Sequence, residues 1–210
     1  MKARGRPSPG FPVDRVVRMT FPAPEFAWAF GVALLAGLLV ACWHDLRTLR
    51  VPKPVSLAIL AGGVVANLVR GAWVGADGAE AWSLGANGAA VGALDGFLFS
   101  LAGFAVGFAM FFVLWVFGVG GGGDVKLAAA VGAWVGPKGF LFVTAVALVA
   151  VTVLTVIRIA GTVLSGKPGR GLKAKAAPWR LLSFSLPMTL GVAALLALMV
   201  FQVRLAPAGG

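Results

Sequence analysis

The chain has 210 residues, of which 60% are hydrophobic and only 12% are charged, and its mean hydropathy is +0.95. Ordinary soluble domains are about 45–50% apolar and about 25% charged, so this composition excludes a soluble domain and indicates an integral membrane protein. The apolar residues form long runs without the alternation typical of membrane strands. We therefore predict an all-α fold, a polytopic transmembrane helical bundle.

The net charge of +11 would suggest nucleic-acid binding in a soluble protein, but here the Lys and Arg residues lie between apolar runs. This arrangement is typical of topology signals, because basic loops are retained on the cytoplasmic side of a membrane. The lipid bilayer is thus the expected partner, and nucleic acid is not expected. The single cysteine, Cys42, allows neither an internal disulfide nor a paired-cysteine zinc site.

Residues 1–24 form a basic tail that contains several prolines, and residues 25–205 form the predicted membrane domain. The tail has three interpretations: a disordered segment, the basic start of a signal sequence, or translated sequence upstream of a start at Met19. A cleaved signal peptide is not expected, because no small-residue cleavage site follows the first apolar run.

Apolar runs of about 20 residues are long enough to cross the hydrocarbon core of a bilayer. On this basis the sequence predicts six spans, at 26–43, 55–74, 97–117, 125–135, 139–160 and 181–203. The fourth span is short and stops at Gly136-Pro137. The stretch between the second and third spans carries Asp77, Glu80 and Asp95, and is predicted to be a loop with a short interfacial helix.

The distribution of basic residues predicts that both termini lie outside the cytoplasm. The cytoplasmic loops are then 44–54, 118–126 and 158–180, and the last of these is strongly basic. The basic N-terminal tail conflicts with this orientation. A start at Met19 would remove most of the conflict.

Two aspartates, Asp45 and Asp124, fall at span ends that are predicted to lie on the same, cytoplasmic side. Ionisable side chains at membrane depth are costly, so each is a candidate for function. Two neighbouring carboxyl groups can share a proton, one acting as a base toward water, as in aspartic proteases. Alternatively, each aspartate caps a helix or pairs with a nearby arginine, and spacing alone leaves both interpretations open.

Four consecutive glycines, Gly120 to Gly123, precede Asp124. Such a run destabilises a helix and favours a sharp turn or a close backbone approach beside the aspartate. A flexible loop would explain the glycines, but it would not explain why Asp-Val-Lys leads into the next apolar helix. A phosphate-binding loop is rejected, because Asp124 stands where that motif requires Lys and Ser or Thr.

The segment Gly121-Gly-Gly-Asp-Val-Lys-Leu127 resembles the GxGD-x-K-L motif of type IV prepilin peptidases. The segment from Asp45 to Pro52 resembles the second element of that family, although Lys53 stands where the family usually has Asn. The proline-containing stretch 185–191 is similar to the family's last span. The resemblance extends over roughly residues 30–200 of the sequence.

This resemblance implies an endopeptidase that removes a short basic leader from prepilins or pseudopilins, next to their hydrophobic segment. Asp45 and Asp124 would be catalytic, Gly121, Gly123 and Lys126 would support them, and neither a metal nor another cofactor is expected. A single cysteine is typical of the short, peptidase-only form found with Flp/tight-adherence pili, so methyltransferase activity is not expected. The resemblance also implies the bacterial inner membrane and pilus or secretion assembly components as partners.

Several residues keep two interpretations. Lys126 either tunes the aspartate pair or contacts substrate, or it is an interfacial lysine whose amine reaches the headgroups. His44 either shuttles protons or lies at the interface, and Arg47 and Arg50 are expected to bind anionic lipid. Two rival functions also remain: a small transporter or channel that binds a cation or proton at Asp124, and a non-catalytic subunit of a pilus or secretion assembly.

Overall fold

The computed structural model describes residues 20–48, 52–85, 88–118, 121–164 and 184–205, and every regular element in these ranges is an α-helix. The helices are α1 (Pro24–Thr48), α2 (Lys53–Ala76), α3 (Ala89–Val116), α4 (Gly122–Leu164) and α5 (Ser185–Leu205). The predicted all-α fold is confirmed. The calls on the tail before Thr20, on Arg50, on Gly120 and on the basic loop over 165–183 fall outside the described residues.

Fewer than six helices of the described part meet the length and hydropathy of a membrane span. Four do so, over Pro24–Asp45, Lys53–Ala76, Ala89–Val116 and Gly122–Ile157, and Ser185–Leu198 is a shorter apolar helix. The predicted fourth and fifth spans both fall within α4, so the count of long apolar helices in this part of the chain is near six but below it. The break between them persists within α4, where Gly136 has the non-helical values φ 69 and ψ 178 and Pro137 follows.

Contacts with α5 show how the chain continues after this break. We call residues 122–135 α4a and residues 137–164 α4b. Leu195 lies against Gly139, and Gly191 lies against the carbonyl group of Val143, so α4b runs antiparallel to α5. The first turn of α5 lies near the end of α3, because the rings of Phe184 and Phe111 are 4.9 Å apart.

The end of α3 also lies beside the start of α4a. Gly107 packs against Ala128, and Phe111 is one helical turn further along α3, at the level where α4a begins. The ring of Phe111 also contacts that of Phe140 in α4b, with centroids 6.2 Å apart. The chain thus turns at Gly136, and α4b runs back toward the end of the bundle at which α4a starts.

Glycines allow α3 to pack closely on both of its neighbours. A Cβ atom on Gly71 would overlap the carbonyl group of Gly92, and one on Gly103 would overlap the carbonyl group of Gly132. Small residues at such positions let helix backbones approach within a membrane, where van der Waals packing replaces the hydrophobic driving force. The α2–α3 and α3–α4a interfaces are therefore backbone-to-backbone contacts.

The position of Asp95 corrects the prediction of a loop before the third span. Helix α3 begins at Ala89, so Asp95 lies inside a helix, and it is fully buried. Its carboxylate accepts hydrogen bonds from the backbone N–H groups of Trp82 (2.6 Å), Ser83 (3.0 Å) and Leu84 (3.2 Å). These bonds satisfy the backbone N–H groups of residues 82–84, which therefore do not need helical hydrogen bonds. The described residues 77–85 contain no interfacial helix.

Candidate active site

Asp45 lies on the buried face of α1, three residues before the helix ends at Thr48. Phe30, Leu34, Leu38 and Ala41 precede it at intervals of three or four residues, and all of them are buried. Because residues with this spacing share one helix face, the Asp45 side chain points into the bundle and not toward lipid. Only 7% of its surface is exposed.

Asp124 lies in the first turn of α4a, where it caps the helix. The backbone N–H of Gly121 donates a hydrogen bond of 2.9 Å to Oδ2 of Asp124, and the N–H of Asp124 donates one of 3.0 Å to the Gly121 carbonyl oxygen. The geometry is the half of a capping box in which an acid at the third helical position binds the N-cap N–H. A negative charge is also favourable at this end of a helix dipole.

The fold brings these two aspartates together from helices that are distant in sequence. Asp45 near the end of α1 and Asp124 in the first turn of α4a lie at the same end of the bundle, near enough for the charge of one carboxyl group to influence the other. Asp45 is buried and Asp124 is half-buried, which limits the screening of this interaction by water. Asp124 therefore caps its helix and also lies near Asp45.

The other residues proposed from the sequence surround this pair at differing exposure. Gly121 and Lys126 are exposed, and Gly123 is half-buried. Lys126 is two residues beyond Asp124 on α4a, which turns its side chain about 200° away around the helix axis. Near the end of α1, the guanidinium group of Arg47 lies 4.0 Å from the centre of the Trp43 ring, a cation–π contact at an exposed position.

No group of three or more His, Cys, Asp or Glu side chains that could bind a metal ion occurs among the described residues. What the aspartate pair can do chemically is acid–base work: one carboxyl group can accept a proton while the other donates one. The arrangement is suited to the activation of water beside a polar substrate bond.

Sequence reasoning missed a second buried polar cluster, formed by Asn67, Arg70, Asp95 and Ser100, all with no exposed surface. It lies on α2 and α3, and Asn67 and Ser100 bind the far end of α4a. Two signals could have found it. Arg70 is an ionisable residue close to the end of a predicted span, and Pro137 leaves a carbonyl group in α4 without its helical donor.

A family model described as the type IV leader peptidase family matches residues 32–156, a range that includes both Asp45 and Asp124. A prepilin leader peptidase/N-methyltransferase of Pectobacterium carotovorum subsp. carotovorum is 31% identical over 157 residues, which cover 69% of this chain and 49% of that protein. The chain thus spans about half the length of this curated relative. No solved structure matches the chain.

Proposed function

The chain belongs to the type IV leader peptidase family, and on that premise we propose that it is a membrane aspartic endopeptidase that removes leaders from prepilins or pseudopilins. The observation that carries the proposal is the position of Asp45, near the end of α1, and Asp124, in the first turn of α4a, at the same end of the bundle. The buried setting of Asp45 supports a functional role, since a buried carboxyl group at membrane depth is costly to retain.

In the proposed mechanism, Asp45 and Asp124 hold one water molecule between them. The ionised carboxylate removes a proton from this water while the protonated carboxyl group donates a hydrogen bond to the scissile carbonyl oxygen. The water oxygen then attacks the carbonyl carbon. When the tetrahedral intermediate collapses, the C–N bond breaks and the leaving amine takes up a proton from the pair.

The pair is proposed to face the cytoplasm, at the inner membrane of a bacterium. The basis is the charge bias of the sequence, because Arg47 and Lys126 both lie at the end of the bundle that carries the aspartates. A substrate leader would then reach the site from the cytoplasmic interface. The proposal covers the peptidase reaction alone and assigns no N-methylation to this chain.

The direct test is co-expression of the chain with a prepilin that carries a basic leader, followed by gel mobility of the pilin. We expect wild type to shorten the pilin, and Asp45→Asn and Asp124→Asn to leave it at full length. Asp77→Asn is the matched control, because Asp77 is an exposed acid that follows α2 at the opposite end of the bundle.

Leader removal that survives in both the Asp45→Asn and Asp124→Asn variants would sink the proposed mechanism. A wild-type chain that leaves the pilin intact but conducts ions in vesicles would instead favour the transporter. A chain with neither activity that copurifies with pilus components would favour the assembly subunit.

Replacing Lys126 tests whether this residue takes part in the reaction. Its side chain is exposed and turned away from Asp124, so we expect Lys126→Gln to change the rate of leader removal by less than about threefold, as for most surface substitutions. The measurement is the initial rate with purified enzyme and a prepilin substrate. A loss of tenfold or more would place Lys126 among the residues that act on the pair or the substrate, because the loss of one charged contact changes a rate by about 10-fold.

A further inference from the structure

The far end of α4a contains two carbonyl groups beside the break in the helix, and one of them has no donor in its own helix. In an α-helix, the carbonyl oxygen of each residue accepts a hydrogen bond from the N–H four positions later. For Ala133 that position is Pro137, which has no N–H, and the neighbouring Trp134 carbonyl group is two residues before the non-helical Gly136. Within a membrane such carbonyl groups must be satisfied by other protein groups.

Side chains from α2 and α3 supply donors to these carbonyl groups. The Nδ2 atom of Asn67 lies 3.0 Å from the carbonyl oxygen of Ala133 and 3.0 Å from that of Trp134. The hydroxyl group of Ser100 donates a further hydrogen bond of 2.8 Å to the Ala133 oxygen. Asn67 and Ser100 are both fully buried, so water does not compete for these bonds.

Arg70 fixes the orientation of the Asn67 amide. The Nε atom of Arg70 donates a hydrogen bond of 2.9 Å to Oδ1 of Asn67, which directs the amide NH₂ toward α4a. Nη1 of Arg70 donates to the carbonyl oxygen of Thr20 at 3.0 Å, in the segment that leads into α1. One network therefore contacts both α4a, which carries Asp124, and the segment that leads into α1, which carries Asp45.

The interface between α3 and α4a increases the importance of these hydrogen bonds. Gly103 and Gly107 of α3 face Gly132 and Ala128 of α4a, so the helices meet through backbone and have few side chains to interlock. Such a surface resists sliding and rotation of α4a less than interlocked side chains would. Directed hydrogen bonds at one end can then set where the helix lies along α3.

We propose that Asn67 and Ser100 are positioning residues: by holding the far end of α4a, they set the position of Asp124 against Asp45 at the near end. Helix α4a is about 20 Å long by its rise per residue, and a short helix moves as a rigid rod. A shift at Ala133 is therefore transmitted to Asp124. The link to leader removal rests on the proposed function, but the effect on geometry does not.

A cross-linking experiment reads this geometry without any enzyme assay. Cys42→Ser removes the single cysteine of the chain, and Asp45→Cys with Asp124→Cys then places two thiols at the pair. Bifunctional thiol reagents of increasing length are applied in membranes, and the shortest reagent that joins the two sites is recorded. We expect a short reagent to join the two cysteines of this parent protein. When Asn67→Ala is added, we expect that only a longer reagent joins them.

Two further variants keep the test decisive if Asn67→Ala lowers the yield of folded protein. Ser100→Ala removes one hydrogen bond from the Ala133 oxygen, and the same shift in a smaller degree is expected. Ser100→Thr keeps the hydroxyl group, and its extra methyl group has room in an adjoining cavity of about 210 Å³ lined by Leu60, Val64, Phe97, Leu101 and Phe104. It should therefore cross-link like the parent.

Thr144→Val is the matched control, because its buried Oγ1 has no hydrogen-bond partner among the described residues and lies outside the network. It should leave the cross-linking unchanged. The inference is overturned if folded Asn67→Ala and Ser100→Ala proteins are joined by the same reagents as the parent, or if no reagent joins the parent pair.

An activity measurement on the chain with both aspartates intact then connects geometry to catalysis. A misplaced Asp124 should lower kcat by about 10²-fold with little change in KM, since displacements of about 1 Å have effects of this size. Leader removal by Asp45→Asn and Asp124→Asn would defeat the proposed function and leave the cross-linking result standing. A normal kcat in a cross-link-shifted Asn67→Ala protein would defeat the catalytic link alone.

Discussion

The Asp124→Asn variant is expected to remove leaders about 10³-fold more slowly than wild type, within the range that general acid–base groups contribute. The substitution separates the two roles of this residue. The side-chain oxygen of Asn can still accept the hydrogen bond from the Gly121 N–H, so the start of α4a stays capped. What is lost is the ability to take up and release a proton.

Asp45→Asn should produce a loss of similar size, and the double variant should lose little more than either single one. Groups that act as one unit give strongly non-additive losses, because removal of either member already disables the pair. The measurement is the initial rate of leader removal with purified proteins at matched concentration. Losses that multiply in the double variant would show two independent roles and would contradict a shared water.

A thermal unfolding control distinguishes lost chemistry from lost structure. Removal of the Asp124 charge at the N-terminus of α4a should lower the free energy of unfolding by only about 0.3–1 kcal/mol, the usual strength of a charge–dipole interaction. The unfolding midpoint of Asp124→Asn should therefore stay close to that of wild type. A large fall in the midpoint would mean that the activity loss reflects unfolding.

Much of the fold could be predicted because the bilayer restricts what a sequence can form. Long apolar runs placed the helices, and the glycine run before Asp124 and the Gly136-Pro137 break were both visible as local signals. These signals depend only on neighbouring residues. They also placed Asp45 and Asp124 at helix ends on one side, and in the structure Asp45 lies near the end of α1 and Asp124 in the first turn of α4a, at one end of the bundle.

The features that could not be predicted depend on contacts between helices. The stretch that carries Asp95 is predicted to be a loop, but in the structure Asp95 lies inside α3, where N–H groups of the preceding turn satisfy its carboxylate. The roles of Asn67 and Arg70 could not be predicted, because their partners, the carbonyl groups of α4a and of Thr20, are remote in sequence. The direction that α4b takes after Gly136 likewise follows from its packing against α5.

Substitution of Gly136 by Ala is expected to lower the free energy of unfolding by about 2–5 kcal/mol, the sum of a backbone and a steric cost. Gly136 has φ +69, a left-handed conformation that disfavours any Cβ atom. In addition, a Cβ atom there would overlap the ring of Phe99. That ring cannot easily move, because Arg70 lies over it at 4.8 Å and the Trp82 ring lies 5.8 Å away.

Gly78→Ala provides a matched control that isolates the backbone cost. Gly78 has φ +72, nearly the same as Gly136, but no atom of the described part of the chain lies within 4 Å of the place where its Cβ would be built. Its loss should be about 1–2 kcal/mol, the cost of a left-handed residue. The difference between the two variants, read as the shift in unfolding midpoint in detergent, then measures the steric cost together with the added backbone cost of ψ 178 at Gly136.

A double-mutant cycle with Phe99→Leu identifies the source of that steric cost. If the aromatic ring is the obstacle, Gly136→Ala should be less destabilising in the Phe99→Leu protein than in wild type, because the smaller side chain vacates part of the space. Equal losses in both backgrounds would show that the ring is not the obstacle. Gly136 lies two or three residues beyond the Ala133 and Trp134 carbonyl groups that Asn67 binds. A displaced turn there should therefore also shift the cross-linking of positions 45 and 124 in Gly136→Ala, whereas Gly78→Ala should leave it unchanged.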